Sequence, residues 1–125
     1  MLEVYSLNTI VPAGTAIPLD NIVIEKGNTA INASPATIQL NKCGVYMVAC
    51  DASADASTTI QLYKDGIAQP QAQGTGGTPA FTTLVSVDHS NSNCCCSSPT
   101  TLQIFNTGDA EATFTNINVV VTKIC

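Results

Sequence analysis

A chain of 125 residues suffices for one domain with a core of its own. Four Lys, no Arg and nine Asp or Glu leave a formal net charge of -5, which excludes the clustered cations of a phosphate-binding surface. Nucleic acid is therefore not an expected partner, and neither is a membrane, since no apolar run nears the roughly 18 residues of a span.

Residues 1–10 mix apolar and polar side chains (Leu2, Val4, Leu7, Ile10) without a clear period. We read 1–14 as an N-terminal arm or first strand and a candidate attachment segment, ending in the turn signal Val11-Pro12-Ala13-Gly14, and 15–125 as the folded domain. In 15–25 the apolar positions (Ile17, Leu19, Ile22, Val23, Ile24) indicate strand, and Pro18 points to a sheet edge because proline cannot donate to a ladder. Lys26-Gly27-Asn28 turns the chain, and 29–31 pairs briefly before Ser34-Pro35.

The stretch 37–50, TIQLNKCGVYMVAC, is where the chain is most strongly patterned. Ile38 and Leu40 alternate, as in a strand with one wet face. After a tight turn at Lys42-Cys43-Gly44, the near-continuous apolar run 45–50 reads as a central core strand. Residues 51–57 are small and polar and read as a loop or frayed strand. In 58–64 Ile60 and Leu62 share one face and Tyr63 takes the other. Asp65-Gly66 then marks a type I′ hairpin, because both central positions of that turn need positive φ. Residues 67–73 form the return strand, 74–79 a flexible loop, and 80–87 a strand with Phe81 and Thr83 opposed to Leu84. The longest polar loop is 88–99, followed by an alternating strand at 100–105 and a final β-branched strand at 112–124. No helix is expected. Short strands punctuated by Gly, Pro and Asn define an all-β sandwich or barrel.

The elements resemble the tumour-necrosis-factor and complement-C1q-like jelly roll. The residues that carry the likeness are Ile38-x-Leu40-x-x-x-Gly44-x-Tyr46, the Leu62-Tyr63-Lys64-Asp65-Gly66 hairpin, Leu102-Gln103-Ile104, and Val119-Val120-Val121-Thr122-Lys123-Ile124. The resemblance implies a two-sheet jelly-roll sandwich that assembles as a homotrimer around a three-fold axis. Within it, Tyr46, Val119, Val120 and Val121 are expected in the core or the trimer interface. The likeness extends to the C-terminal heads of collagen-like spore-surface glycoproteins. Those heads follow a Gly-X-Y stalk, which this sequence lacks, and it is equally similar to small phage and prophage head-fibre or capsid-decoration proteins of Firmicutes.

Motifs that carry chemistry are scarce. Six cysteines (Cys43, Cys50, Cys94, Cys95, Cys96, Cys125) exceed the usual cytosolic complement, yet Met1-Leu2-Glu3-Val4 opens no basic signal-peptide region. The Cys94-Cys95-Cys96 triplet has three readings: disulfides to Cys43, Cys50 or Cys125, free thiols, or a metal site. Structural zinc motifs space their cysteines by two to four residues, so the third reading fits least. Cys50 within the apolar run reads as a small buried hydrophobe. His89 reads as a solvated loop residue rather than a catalytic base, and Asp51, Asp55 and Asp88 fit no calcium-loop spacing. Tyr46 and Phe81 either line a pocket or pack the core. Apolar residues make up 45% of the chain, more surface than a lone sandwich with so few charges hides, which points to an interface.

These readings lead us to expect a non-enzymatic, cofactor-free structural protein, made in a host cytoplasm and carried on a virion surface. A spore or cell surface is the alternative location. Attachment to a capsid would run through the N-terminal arm. A glycan- or host-surface-binding role is the alternative function, with ligand loops around Gly76, Thr78, His89 and Asn91.

Overall fold

The computed structural model describes residues 1–26, 29–31, 37–87 and 100–124. Eleven strands follow in order: β1 (Leu2–Val11), β2 (Thr15–Ala16), β3 (Asn21–Glu25), β4 (Thr29–Ile31), β5 (Ile38–Leu40), β6 (Gly44–Ala54), β7 (Thr58–Lys64), β8 (Ile67–Gly76), β9 (Ala80–Val87), β10 (Thr100–Asn106) and β11 (Ala112–Lys123). No helix occurs among the described residues. The first sheet has the order β3-β1-β11-β6-β9 and the second β4-β5-β10-β7-β8, with β2 pairing β10 beside β5. Every strand pair is antiparallel. Consecutive strands repeatedly cross from one sheet to the other, which makes the sandwich a jelly roll.

The two-residue alternation of the strands explains the layering. Val4, Val48, Val119 and Val121 of the first sheet face Ile38, Ile60, Leu62, Leu102 and Ile104 of the second, all fully buried. Each such side chain contributes about 1.5–3 kcal/mol when removed from water. Two irregularities keep the pattern inward along the longest strands. Phe114 and Ile117 are both fully buried although three apart, because the β11–β6 ladder shifts between Phe114 and Asn116. On β1, Asn8 has φ 51, and Ser6 and Val11 on either side of it both point inward. The β1–β11 register runs unshifted across Asn8, so the inward parity switches in both strands together where β11 shifts against β6.

Several sequence expectations change here. Of the two readings of residues 1–14, the structure has the first strand: β1 lies between β3 and β11, with Leu2 and Val4 fully buried. The strand predicted for 45–50 runs on to Ala54, because the small residues 51–54 are held from both sides. Asp51 and Ser53 register with β11, and the Ala52 and Ala54 amides donate to the Pro79 and Gly77 carbonyls. The loop expected at 74–79 is strand as far as Gly76. At Gly74 a Cβ would lie 2.3 Å from the Ala80 carbonyl oxygen, so only glycine permits that close approach of β8 and β9. Pro18 sits between strands rather than within one, with β3 forming the sheet edge. The Asp65-Gly66 turn has φ 51 and φ 81, as a type I′ hairpin requires.

Buried polar groups pin the ends of the sandwich. Asn106 is fully buried on β10; its side-chain carbonyl accepts from the Thr58 hydroxyl (2.8 Å) and the Gly108 amide (3.0 Å). Its amide donates to the Val11 carbonyl (3.0 Å) and the Ala110 carbonyl (3.2 Å). One residue thereby ties β1 of the first sheet to β7 and β10 of the second. Buried Ser6 donates to the Pro18 carbonyl (2.7 Å) and accepts from the Asp20 amide (2.9 Å), anchoring the crossing between β2 and β3.

Candidate functional site

Among the described residues, those singled out for chemistry do not converge. Cys43 is disulfide-bonded, whereas Cys50 is free and buried. Burial, reinforced by the neighbouring Asp51 charge, pushes the Cys50 thiol far above its usual range, so it stays protonated and unreactive. Cys94, Cys95, Cys96, Cys125, Asp88, His89 and Asn91 lie outside the described residues. No group of three or more His, Cys, Asp or Glu is placed to hold a metal among the described residues. Asp55 accepts from the Thr113 amide (3.0 Å), a structural use of its carboxylate. Gly76 closes β8 with φ 135, and Thr78 is exposed in the turn before β9. Tyr46 is fully buried and donates to the Lys42 carbonyl (2.6 Å), and Phe81 is 8% exposed, so both rings pack in the core. Burial raises the Tyr46 pKa, with the bond to Lys42 acting against it. Val119 and Val121 point into the core, while Val120 points out.

What the fold does organise is a pair of outer faces. On the first sheet the outward positions are Glu3, Tyr5 and Leu7 of β1, Asn118 and Val120 of β11, Val45, Met47, Ala49 and Asp51 of β6, and Thr82 and Leu84 of β9. This face mixes apolar side chains with two carboxylates, Glu3 and Asp51, and its Asn118 amide is spent on the Glu3 carboxylate (3.3 Å). A shallow open depression of about 570 Å³ is lined by Ala49, Asp51, Ala80, Thr82, Asn118 and Val120. Large exposed apolar side chains lie on the strands of the same sheet (Leu7, Ile10, Ile22, Val23 and Leu84), and among the residues whose side chains are described Ile67, beside the hairpin turn, is the one on the second.

The second sheet presents the opposite chemistry. Its outward positions are Gln39 of β5, Thr101, Gln103 and Phe105 of β10, Thr59, Gln61 and Tyr63 of β7, and Gln73 and Thr75 of β8. Gln103 stands opposite Tyr63, Phe105 opposite Gln61, and Gln61 opposite Gln73. The Tyr63 and Phe105 rings meet with centroids 4.2 Å apart and planes tilted by 34°. No charged side chain occupies these positions. Alternation in TTIQLYK and TTLQIF already placed these amides and rings on one side; the identity of the opposing strands was the missing piece.

No protein-family model matches the chain, and no curated protein matches it in sequence. Solved structures do resemble it. The globular domain of zebrafish complement 1qA protein superposes with a TM-score of 0.65 at 8% identity, covering 95% of this chain and 94% of that one. Rabbit GITRL gives 0.59 at 12% identity over 93% of both chains. PRD1 vertex protein P5 gives 0.60 at 13% identity, covering 99% of this chain and 72% of that one. At such identities the likeness establishes the fold: an all-β, two-sheet jelly roll of the C1q and TNF-like type.

Proposed function

We propose that this protein is a non-enzymatic structural component of a virion surface that assembles as a homotrimer through the outer face of its first sheet. The observation that carries the reading is the asymmetry of apolar exposure. Leu7 and Leu84 are exposed on a sheet whose outward positions carry only Glu3 and Asp51 for charge, Val120 lines its depression, and exposed apolar side chains on one face are characteristic of an interface. The fold supports a closed three-fold arrangement, in which one surface of each copy meets a different surface of the next and the same residues of all three copies gather at the axis. The likeness to PRD1 vertex protein P5 supports the virion setting, and the neutral, amide-rich second face suits display to solvent. With Met1–Val11 committed to the first sheet, attachment to a particle uses a surface of the folded head rather than a loose tail.

The test is the solution mass by light scattering, with and without reductant. Three times the 12.9 kDa chain under both conditions is the expected result. A monomer under both conditions overturns the assembly, and a trimer lost only on reduction transfers the assembly from the sheet face to the cysteines. Antibody raised against the purified protein is expected to label intact virions; labelling of spores or cells instead would remove the virion setting.

A further inference from the structure

We propose that the outer face of the second sheet is a binding platform for neutral carbohydrate chains, centred on Gln103 and Tyr63. The inference rests on the reading that this face points away from the assembly. Three observations on that face select the ligand class. First, its outward strand positions carry no charge in a protein of net charge -5, the one carboxylate beside them, Asp65, accepting from the Thr101 amide and hydroxyl at the rim, which disfavours anionic glycans and nucleic acid. Second, the polar groups at its centre are unspent, whereas those around them are not: Thr59 and Thr75 bond each other, Gln73 donates to the Pro70 carbonyl and Thr101 to Asp65. The Gln39 and Gln103 amides and the Tyr63 hydroxyl make no hydrogen bond to a described residue, whereas Gln61 spends its amide on the Gln69 carbonyl (3.3 Å) and keeps its own carbonyl free. Each free glutamine offers donors and an acceptor on one side chain, which matches the hydroxyls of adjacent carbons on a sugar ring. Third, the Tyr63–Phe105 pair is half-buried and set among these amides, giving an apolar surface for the C–H face of a pyranose.

The arrangement is also the right shape. Strands β5, β10, β7 and β8 lie side by side, so the face spans roughly 14 Å at the usual interstrand spacing, room for a short run of sugar residues. It is a shallow platform rather than a pocket, so single-face binding is weak and three copies on one trimer raise it by avidity. The site differs from the loops at the sandwich ends and uses β-sheet side chains held in register by the ladder.

The experiment is binding of the full-length protein to an array of neutral oligosaccharides and to soluble glucan, mannan, xylan and galactan chains. The same panel is run for Gln103→Ala, Tyr63→Ala and Tyr63→Phe, each checked for unchanged mass and for a cooperative thermal transition well above the assay temperature. We expect binding to at least one neutral glycan, a loss of tenfold or more for Gln103→Ala and Tyr63→Ala, and a smaller loss for Tyr63→Phe, which keeps the ring. Absence of binding across the panel, binding only to anionic glycans, or binding unchanged in the folded variants overturns the platform. Solution mass reports separately on assembly: a trimer without glycan binding removes this inference alone, and a monomer that binds removes the assembly alone.

Discussion

The two outer faces are built from the same kind of strand and differ in what the outward positions carry. On the first sheet these positions are Leu7, Met47, Ala49, Val120 and Leu84; on the second they are Gln39, Gln61, Gln103 and Gln73 around one aromatic pair. The inward positions do not distinguish the sheets, since both are filled by Val, Ile and Leu. A sandwich needs only its inner faces to fold. The outer faces are therefore free to diverge, and their divergence carries the functional information here.

The comparison presumes that both faces sit on one rigid body, and the largest expected effect comes from breaking that. Asn106→Ala removes four hydrogen bonds at the point where β10 is tied to β1 and leaves the Val11 carbonyl without its side-chain partner. We expect roughly 3 kcal/mol of destabilisation, read by urea denaturation, because buried polar groups left unpaired cost more than the bonds themselves. A change of less than about 1 kcal/mol would show that the sheets are held by apolar packing alone. Gly74→Ala acts at the other crossing, where the added methyl meets the Ala80 backbone. There roughly 2–3 kcal/mol is expected, the cost of overpacking against an atom that cannot move aside.

Smaller effects sharpen the comparison. Burial raises the Tyr46 pKa, so above the usual tyrosine value near 10 the unfolded chain loses a proton that the native state retains. Stability is then fully present below about pH 10 and falls as pH rises toward the raised native pKa. Tyr46→Phe is expected to cost about 1 kcal/mol at pH 7 through the lost bond to Lys42 and to flatten the alkaline fall, with stability measured from pH 8 to 11. An unchanged alkaline slope would assign the fall to other groups. Tyr63→Ala on the displayed face is expected to cost only about 1 kcal/mol, the worth of an aromatic pair beyond its buried area, and to leave assembly untouched.

Much of this was legible in the sequence, for definite reasons. Alternation at Ile60/Leu62 and Leu102/Ile104 and the Asp65-Gly66 turn signal local geometry, which yields an all-β sandwich or barrel, and the resemblance narrowed that to a jelly roll. Three features were not legible because they depend on strands far apart in the chain. Residues 51–54 look like loop until their β11 partners are known. Gly74 looks like a hinge until Ala80 is seen beside it. Residues 1–10 look aperiodic because their inward parity switches midway, at the positive-φ Asn8. The candidate surfaces show the same division: Val120 and Tyr63 could be assigned an outward side from alternation, but not their neighbours.

The most direct test pairs one charge on each face. Val120→Glu places a carboxylate beside Asp51 and Glu3 on the first sheet, and Gln103→Glu places one on the second at nearly the same size as the residue replaced. The masses of both variants are measured by light scattering at one concentration. Burying three added like charges in a shared interface is strongly unfavourable, so Val120→Glu is expected at 12.9 kDa and Gln103→Glu at three times that mass. A trimeric Val120→Glu beside a monomeric Gln103→Glu would contradict the account, because it would place the interface on the face assigned here to display.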